Sequence, residues 1–236
     1  MRLLVTRPQP AAEATARRLE VMGHQPLLLP LARAEHLPQA VRKALEEPHA
    51  AIALTSAEAV RVLADLGADL EPHKAEPCFC VGEATARAAR DLGFISVYPA
   101  AGTGRSLAEL IAATLSASQT PLLYLAGSPR SDGLEATLQQ LRIVHVTVEC
   151  YRMQPIAHPP GILARLTAAG QLDAVLLYSH DTARRFAALL VEAGLEPAAF
   201  SPRYLCLSAV VAEALPDGTP VEVATRPDEE SLFSLL

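Results

Sequence analysis

The residues best suited to chemistry in this sequence are small and polar, and they follow directly after short apolar runs. Seven loops share this character, at residues 6–8, 55–57, 82–85, 102–104, 127–130, 179–182 and 208–209. Free backbone N–H groups, hydroxyls and the positive end of a helix dipole make such loops good sites for anions. In any single loop, a Ser or Thr that merely caps a helix is the simpler interpretation. Six of these seven loops, all except residues 102–104, follow strands of the repeat described below, three in each half of the chain, and they favour a two-sided cleft for an anionic ligand.

The candidate ligand-binding residues are the hydroxyl-bearing, basic and glycine residues of these loops. They are Arg7, Thr55, Ser56, Gly82, Thr85, Gly102, Thr103, Gly127, Arg130, Ser179, His180 and Ser208. His180 is the histidine best placed to meet a ligand, although exposed loop histidines are common. Arg7 has two open interpretations, since it either pairs with a ligand carboxylate or braces the first turn.

Several familiar catalytic motifs do not occur in the chain. Neither glycine-rich phosphate-binding fingerprint is present, because residues 102–104 (GTG) come too late and lack the third glycine. The nucleophile elbow G-x-S-x-G and the zinc motif H-E-x-x-H are also missing. The seven histidines are scattered without a metal-ligand spacing, so we expect no metal site.

The composition is that of a globular protein with an aliphatic core. Half of the 236 residues are hydrophobic and 19% are charged, and the length fits one large domain or two smaller ones. The net charge of −6, without blocks of like charge, argues against nucleic acid as a partner. Aromatic residues make up 4% and Trp is absent, which leaves little surface for stacking on bases.

We expect a cytoplasmic protein that does not associate with membranes. The first apolar run, residues 3–6, is too short for a signal peptide, and no apolar stretch approaches the length of a membrane span. Only Cys78 and Cys80 are close in sequence, and their spacing within an apolar run places both thiols on one face of a strand. With Cys150 and Cys206 elsewhere, buried reduced thiols are favoured over a disulfide or a metal set.

The elements that position the loops occur twice. Three strand-then-helix units come first, with strands at 3–6, 51–55 and 79–82 and helices at 11–22, 58–66 and 85–92. Three more follow in the same order, with strands at 122–125, 174–178 and 204–207 and helices at 134–141, 182–193 and 210–215. Matching strand positions are shifted by 119, 123 and 125 residues, and this near-constant shift indicates a duplicated architecture.

The pattern predicts an α/β fold. The strands are continuous apolar runs, as expected for strands buried on both faces of a parallel sheet, and the helices supply the crossovers. Thr55 with Glu58 and Ser106 with Glu109 fit capping boxes, and Asp132 with Glu135 resembles one. Helix ends are expected before three glycines, Gly23, Gly93 and Gly194.

The domain division has two solutions at this point. A simple cut between the repeats falls near residue 119. Alternatively, the extended segments 25–31 and 145–151, which hold matching places in the repeats, both run from one domain to the other. The second domain is then an insertion in the first.

An ordered set of motifs resembles the uroporphyrinogen-III synthase family along essentially the whole chain. The motifs are residues 4–8 (LVTRP), 54–60 (LTSAEAV), 81–86 (VGEATA), 102–107 (GTGRSL), 148–152 (VECYR), 178–179 (YS) and 230–232 (ESL). The resemblance implies two Rossmann-like or flavodoxin-like parallel-sheet domains joined by a two-stranded connector. It places domain 1 at residues 1–33 and 153–236 and the inserted domain 2 at 36–149. The implied substrate is the linear tetrapyrrole hydroxymethylbilane, with no metal or organic cofactor, and the implied oligomeric state is a monomer.

The resemblance also assigns roles. The family's functional tyrosine falls on Tyr151, which would donate a hydrogen bond to the departing hydroxyl or stabilise the charged intermediate. Ser56, Thr85 and Ser179 fall on substrate-facing hydroxyl positions.

This chain departs from the family pattern at several places. Members usually carry an arginine where this chain has Ala126, and Arg130 is the candidate replacement. Ser208 and Val211 stand where a glycine and a threonine are usual, and His180 replaces an expected proline. We nevertheless expect the activity to survive.

Two other functions remain open from the residues alone. One is a non-catalytic two-domain protein that binds a small anionic metabolite, and the other is an isomerase or transferase acting on a sugar phosphate. Neither requires a tyrosine in the connector, so Tyr151 discriminates between them and a synthase.

Overall fold

The computed structural model describes residues 1–115, 120–168, 170–195 and 202–236. The strands are β1 (Arg2–Val5), β2 (Gln25–Leu28), β3 (Ala32–His36), β4 (Ala51–Leu54), β5 (Cys78–Cys80), β6 (Val97–Pro99), β7 (Leu122–Ser128), β8 (His145–Pro155), β9 (Ala174–Leu177), β10 (Arg203–Cys206) and β11 (Val221–Val223). The helices are α1 (Ala11–Val21), α2 (Pro38–Leu45), α3 (Ala57–Ala64), α4 (Glu83–Asp91), α5 (Gly104–Thr114), α6 (Gly133–Gln140), α7 (Ile162–Ala168), α8 (His180–Glu192), α9 (Ala209–Ala212) and α10 (Glu229–Phe233). A 3-10 helix spans Gly67–His73.

The chain forms two compact units. The first unit comprises Met1–Arg33 and Gln154–Leu236, and the second comprises Ala34–Met153. The first unit contains a sheet of order β11-β10-β9-β1-β2, in which every neighbouring pair is parallel. The sheet of the second unit has the order β3-β8-β7-β4-β5-β6, and β8 to β6 are parallel to one another. The predicted α/β class with two parallel-sheet domains is therefore confirmed.

Each sheet is buried on both faces, as the continuous apolar runs predict. In β4, Ile52 and Leu54 join a core with α3 and α4, while Ala51 and Ala53 join a second core with α5 and α6. In β1, Leu4 packs on the side of α8, whereas Leu3 and Val5 pack on the side of α1 and α10. All four residues of β4 are fully buried. Alternating side chains thus supply two cores per unit, one against each helical layer.

The chain passes from the first unit to the second along β3, and it passes back to the first unit along β8. Hydrogen bonds from Leu37 N–H to the Cys150 carbonyl and from Ile156 N–H to the Leu31 carbonyl join these two strands in antiparallel order. This corrects the predicted crossing segment at 25–31, because β2 in that segment pairs with β1 inside the first unit. The error arose because two extended segments follow one another, and only strand pairing distinguishes them.

Two predicted capping boxes are displaced along the sequence. Helix α3 is capped by Ser56, which accepts a hydrogen bond from Ala59 N–H, and not by Thr55. Helix α5 is capped by Thr103 in a box with Ser106, so Ser106 is the third helical residue and not the cap. At α6, Asp132 holds the cap position but its side chain makes no capping bond.

Other local predictions hold. Gly23, Gly93 and Gly194 end α1, α4 and α8 with φ of +82°, +103° and +71°, a region that strongly favours glycine. The four cysteines are buried and unpaired, and the sulfurs of Cys78 and Cys80 lie 3.9 Å apart on one face of β5. Among the described helices, none has the length and apolar character needed to cross a bilayer.

Candidate active site

The candidate site lies in the second unit, at the carboxyl ends of β4 and β7. These strands are neighbours from which the chain winds in opposite directions, β4 towards β5 and β6 and β7 towards β8. Open parallel sheets bind ligands at this kind of switch point. A cavity of about 430 Å³, called the site cavity below, opens there. It is lined by Thr55, Ser56, Val81, Gly102, Thr103, Gly104, Tyr124, Gly127, Pro129, Arg130, Ser131, Leu134 and Tyr151.

Seven of the predicted site residues meet in this cavity. They are Thr55, Ser56, Gly102, Thr103, Gly127, Arg130 and Tyr151. Gly82 and Thr85 are near but do not line it. Gly82 precedes α4 and lies next to Gly102. A Cβ added at position 82 would be 3.6 Å from the Gly102 Cα. Thr85, in the first turn of α4, is buried and only 5% exposed.

The Tyr151 hydroxyl lies 3.0 Å from the Ser56 hydroxyl. Ser56 is held in place because its oxygen also accepts the Ala59 N–H at the start of α3. Burial raises the pKa of Tyr151 more than the hydrogen bond with Ser56 lowers it. The phenol therefore stays protonated at neutral pH and is able to donate a hydrogen bond to a ligand in the site cavity.

An irregularity in β8 aims Tyr151 at the cavity. In the pairing of β7 with β8, Ala126 lies opposite Glu149 and Gly127 lies opposite Tyr151, so Cys150 is the extra residue of a bulge. Cys150 and Tyr151 consequently face the same core, which a regular strand does not allow. The bulge brings the Tyr151 ring onto Gly127, where an added Cβ would lie 2.3 Å from Tyr151 Cζ. Gly127 is therefore required by the close approach of the ring.

A second hydroxyl pair lies on the other face of β4. The Tyr124 hydroxyl is 3.0 Å from the Thr55 hydroxyl, and Tyr124 is 1% exposed. Burial raises the pKa of Tyr124, so this phenol is also protonated at neutral pH. Sequence reasoning missed Tyr124 because it lies inside the apolar run 122–125 and resembles a core residue. The pairing of Ala53 with Tyr124 across β4 and β7 is what places its hydroxyl beside Thr55.

The charge lining the cavity is positive. The Arg130 guanidinium binds Glu135 through Nε at 2.8 Å, and Glu135 also accepts a hydrogen bond from Thr147 at 2.9 Å. Arg130 lowers the pKa of Glu135, and its own side chain remains 34% exposed. The N-cap residue of α3 and the first turns of α5 and α6 also contribute lining residues, and helix N-termini favour anions.

The described cavity lining contains no His, Cys, Asp or Glu. Its polar groups are hydroxyls, one guanidinium and main-chain amides, which suit a carboxylate ligand better than a metal ion. The expectation that no cofactor is used stays a prediction.

Arg7 lies in the first unit and is engaged with protein groups. Its guanidinium pairs with Glu229 at 3.0 Å and stacks 4.2 Å above the Tyr178 ring. Glu229 also accepts hydrogen bonds from Thr15, Arg18 and Tyr178. These contacts favour the interpretation that Arg7 braces the first turn, and ligand binding by Arg7 stays a prediction.

The remaining predicted residues of the first unit lie at helix starts. Ser179 caps α8, because its oxygen accepts the Thr182 N–H at 3.2 Å. His180 is the exposed first residue of that helix. Ser208 holds the cap position of α9 without a side-chain capping bond. Their roles towards a ligand stay predictions.

The chain resembles known proteins over its whole length. A family model described as uroporphyrinogen-III synthase HemD matches residues 13–234. The solved uroporphyrinogen-III synthetase of Helicobacter pylori 26695 superposes with a TM-score of 0.64 at 18% identity, covering 100% of this chain and 98% of that one. A mutant uroporphyrinogen III synthase of the extremely thermophilic bacterium Thermus thermophilus gives a TM-score of 0.59 at 22% identity, covering 100% and 97%. No curated protein sequence matches the chain.

Proposed function

This chain belongs to the uroporphyrinogen-III synthase family, and from that premise we propose that it cyclises hydroxymethylbilane to uroporphyrinogen III. The reaction removes water from the hydroxymethyl end of the linear tetrapyrrole and closes the macrocycle with the last ring, ring D, inverted. It is a hydro-lyase step of haem biosynthesis. The observation that carries the proposal is the family match over residues 13–234, because it spans both units.

The chemistry proceeds through cations. Loss of the hydroxyl, driven by the pyrrole nitrogen, leaves an electrophilic azafulvene. The substituted carbon of ring D attacks it to form a spiro intermediate, which fragments and recloses with that ring turned over. Closure without the enzyme uses the free carbon of the ring and gives the symmetrical type I isomer. The enzyme must therefore hold one conformer and exclude the other, which is mainly a matter of positioning.

The site cavity has groups suited to this substrate. Each ring carries an acetate and a propionate, and carboxylates bind well to a guanidinium and to amides at helix N-termini. We assign Arg130 and the first turn of α5, preceded by Gly102 and Thr103, to carboxylate binding. Glu135 keeps Arg130 in place, and 34% of the Arg130 side chain remains exposed.

Tyr151 is assigned the catalytic role. Its protonated hydroxyl donates a hydrogen bond to the departing hydroxyl group and thereby assists the loss of water. Ser56, 3.0 Å away, orients the phenol, and Gly127 gives its ring the space to reach the cavity. Removing one such hydrogen bond to a developing charge costs about 1.5–3 kcal/mol, or roughly a tenfold to hundredfold loss of rate.

The proposal is tested by incubating freshly generated hydroxymethylbilane with the purified protein and separating the oxidised products into type I and type III isomers. Tyr151→Phe is expected to slow type III formation by roughly tenfold to a hundredfold. Tyr98→Phe is the matched control, because Tyr98 of β6 stacks on Phe79 of β5 and does not line the cavity.

The outcomes separate the alternatives. Equal rates for wild type and Tyr151→Phe contradict the role of Tyr151 but leave the function intact. Binding of the bilane with only the type I background identifies a binding protein that does not turn over. Absence of binding by folded protein contradicts the tetrapyrrole assignment.

A further inference from the structure

A histidine–glutamate trio lies at the opposite end of the second unit's sheet from the site cavity. His49 precedes β4, His73 ends the 3-10 helix and Glu76 precedes β5, so all three are at the amino ends of strands. One potential metal-ligand atom from each side chain, a ring nitrogen or a carboxylate oxygen, lies within 4.8 Å of the other two. Glu76 connects the two rings, with one carboxylate oxygen 2.7 Å from His49 Nε2 and the other 2.9 Å from His73 Nδ1. The rings themselves are stacked, with centroids 5.6 Å apart.

The tautomer of His49 follows from its second ring nitrogen. Nδ1 lies 2.7 Å from the Glu47 carbonyl oxygen, which only accepts hydrogen bonds, so Nδ1 carries the proton. In the neutral ring Nε2 then carries the lone pair. Metal-binding histidines are typically fixed in this way, by donating the other N–H to a carbonyl or carboxylate.

His49 Nε2 and the facing Glu76 oxygen are buried, and within the part of the chain that the structure describes neither has a hydrogen-bond partner. The His49 side chain is only 6% exposed. The two atoms lie 2.7 Å apart without a hydrogen bond between them. Two buried acceptors this close repel each other unless a proton or a metal ion lies between them.

The geometry suits zinc. Zn²⁺ binds imidazole nitrogen and carboxylate oxygen at about 2.0–2.2 Å, so two ligands of a tetrahedral site lie about 3.3 Å apart. The 2.7 and 2.9 Å separations must open by about 0.4–0.6 Å to reach this spacing, and the three ligand atoms already lie within 4.8 Å of one another. Two histidines and one glutamate are also an established zinc ligand set, with a fourth position left for water. His73 and Glu76 are 17% and 28% exposed, which leaves a path for the ion from solvent.

We propose that His49, His73 and Glu76 form a zinc-binding site that fastens together the segments preceding β4 and β5. The ion cross-links the loop after α2, which holds His49, to the segment between the end of the 3-10 helix and β5, which holds His73 and Glu76. It lies away from the site cavity and acts on the stability of the second unit, not on the chemistry. The histidines are too far apart in sequence to show a ligand spacing, and the fold brings them together.

The test uses full-length protein without a histidine tag, stripped with a chelator and titrated with ZnSO₄ by calorimetry and by thermal unfolding. We expect one equivalent to bind and the unfolding midpoint to rise by several degrees once zinc exceeds its Kd about a hundredfold. Glu76→Gln and His73→Gln should each weaken binding at least about tenfold. Cobalt(II) in place of zinc should show the intense visible absorption of a tetrahedral site.

His145→Gln is the matched control. His145 also binds, through Nδ1, a carbonyl two residues earlier, that of Ile143, yet it does not belong to the trio. The His145→Gln variant should bind zinc with the affinity of the wild type. The proposal is overturned if zinc does not bind, if it binds only at millimolar concentration, or if the trio variants and His145→Gln behave alike. Circular dichroism of each variant distinguishes loss of the site from loss of the fold.

Discussion

Replacing Gly127 by alanine tests the contact that positions Tyr151. The new Cβ would lie 2.3 Å from Tyr151 Cζ and 2.4 Å from its hydroxyl oxygen. Ordinary carbon contacts are about 3.5 Å or longer, so the ring must move by about 1 Å. That displacement stretches the 3.0 Å hydrogen bond with Ser56 and moves the phenol away from its donating position.

Both activity and stability should respond. A misplacement of about 1 Å in a catalytic group costs on the order of a hundredfold in rate, and overpacking costs about 1–3 kcal/mol of unfolding free energy. We therefore expect Gly127→Ala to lower kcat/KM for type III formation about a hundredfold. Steady-state kinetics and urea unfolding followed by circular dichroism measure the two effects.

Gly133→Ala is the control for the same chemical change. A Cβ at Gly133, the first residue of α6, meets no atom within 4 Å, so this variant should be as active as wild type and at least as stable. The stability cost of Gly127→Ala should also disappear when Tyr151 is already alanine, because the clash is with the ring. Wild-type kinetics for Gly127→Ala, or an undiminished cost in the Tyr151→Ala background, would refute this reasoning.

Three further predictions concern charge. Arg130→Gln removes the guanidinium that lines the site cavity and should raise KM about tenfold with kcat little changed; an unchanged KM contradicts its assignment to carboxylate binding. Burial lowers the pKa of His36, but hydrogen bonds with Glu58 and Asp65 outweigh burial and raise the pKa above its unfolded value. The stability that His36 contributes is thus full below about pH 6.5 and lost as the pH rises through the folded pKa. The difference in unfolding free energy between wild type and His36→Gln should therefore shrink as the pH rises above about 6.5. A gap that stays constant or widens in urea unfolding is the contrary result. Glu229→Gln weakens bonds from four donors in the first unit and should cost about 1–3 kcal/mol of unfolding free energy, whereas a thermal midpoint equal to wild type would show that the cluster contributes little.

The fold was predictable because burial leaves a simple pattern. Strands such as Ala51–Leu54 and Ala174–Leu177 are apolar at every position, since helices cover both faces of each sheet. The shift between the two sets of units indicated the duplication. Short edge strands such as Val97–Pro99 and Val221–Val223 were not predicted, because three partly exposed residues carry too little pattern.

Caps were harder to predict because neighbouring hydroxyls compete for one position. Thr55 and Ser56 are adjacent, and the choice between them depends on where β4 ends. The strand ends at Leu54, so Ser56 caps α3 and the Thr55 hydroxyl turns to Tyr124. At α5, the side chains of Thr103 and Ser106 each accept a hydrogen bond from the other residue's backbone N–H. The capping pattern therefore fits either residue until the start of the helix is known.

The parts of the candidate site that depend on tertiary structure were not predictable from pattern alone. The bulge at Cys150 aims Tyr151 at Gly127, and strand pairing brings Tyr124 to Thr55. Periodicity assumes regular strands and assigns a tyrosine within an apolar run to the core. The direction of a side chain at such positions depends on the pairing register of neighbouring strands, and the local sequence pattern carries no information about that register.

The isomer ratio produced by the wild-type protein tests the central claim most directly. Hydroxymethylbilane cyclises by itself to the type I isomer, so the amount of type III product above that background measures enzymatic ring inversion. We predict that type III predominates when the protein is present and that its rate of formation is proportional to protein concentration. Folded protein that leaves the product as type I, at the rate seen in buffer, would contradict the account.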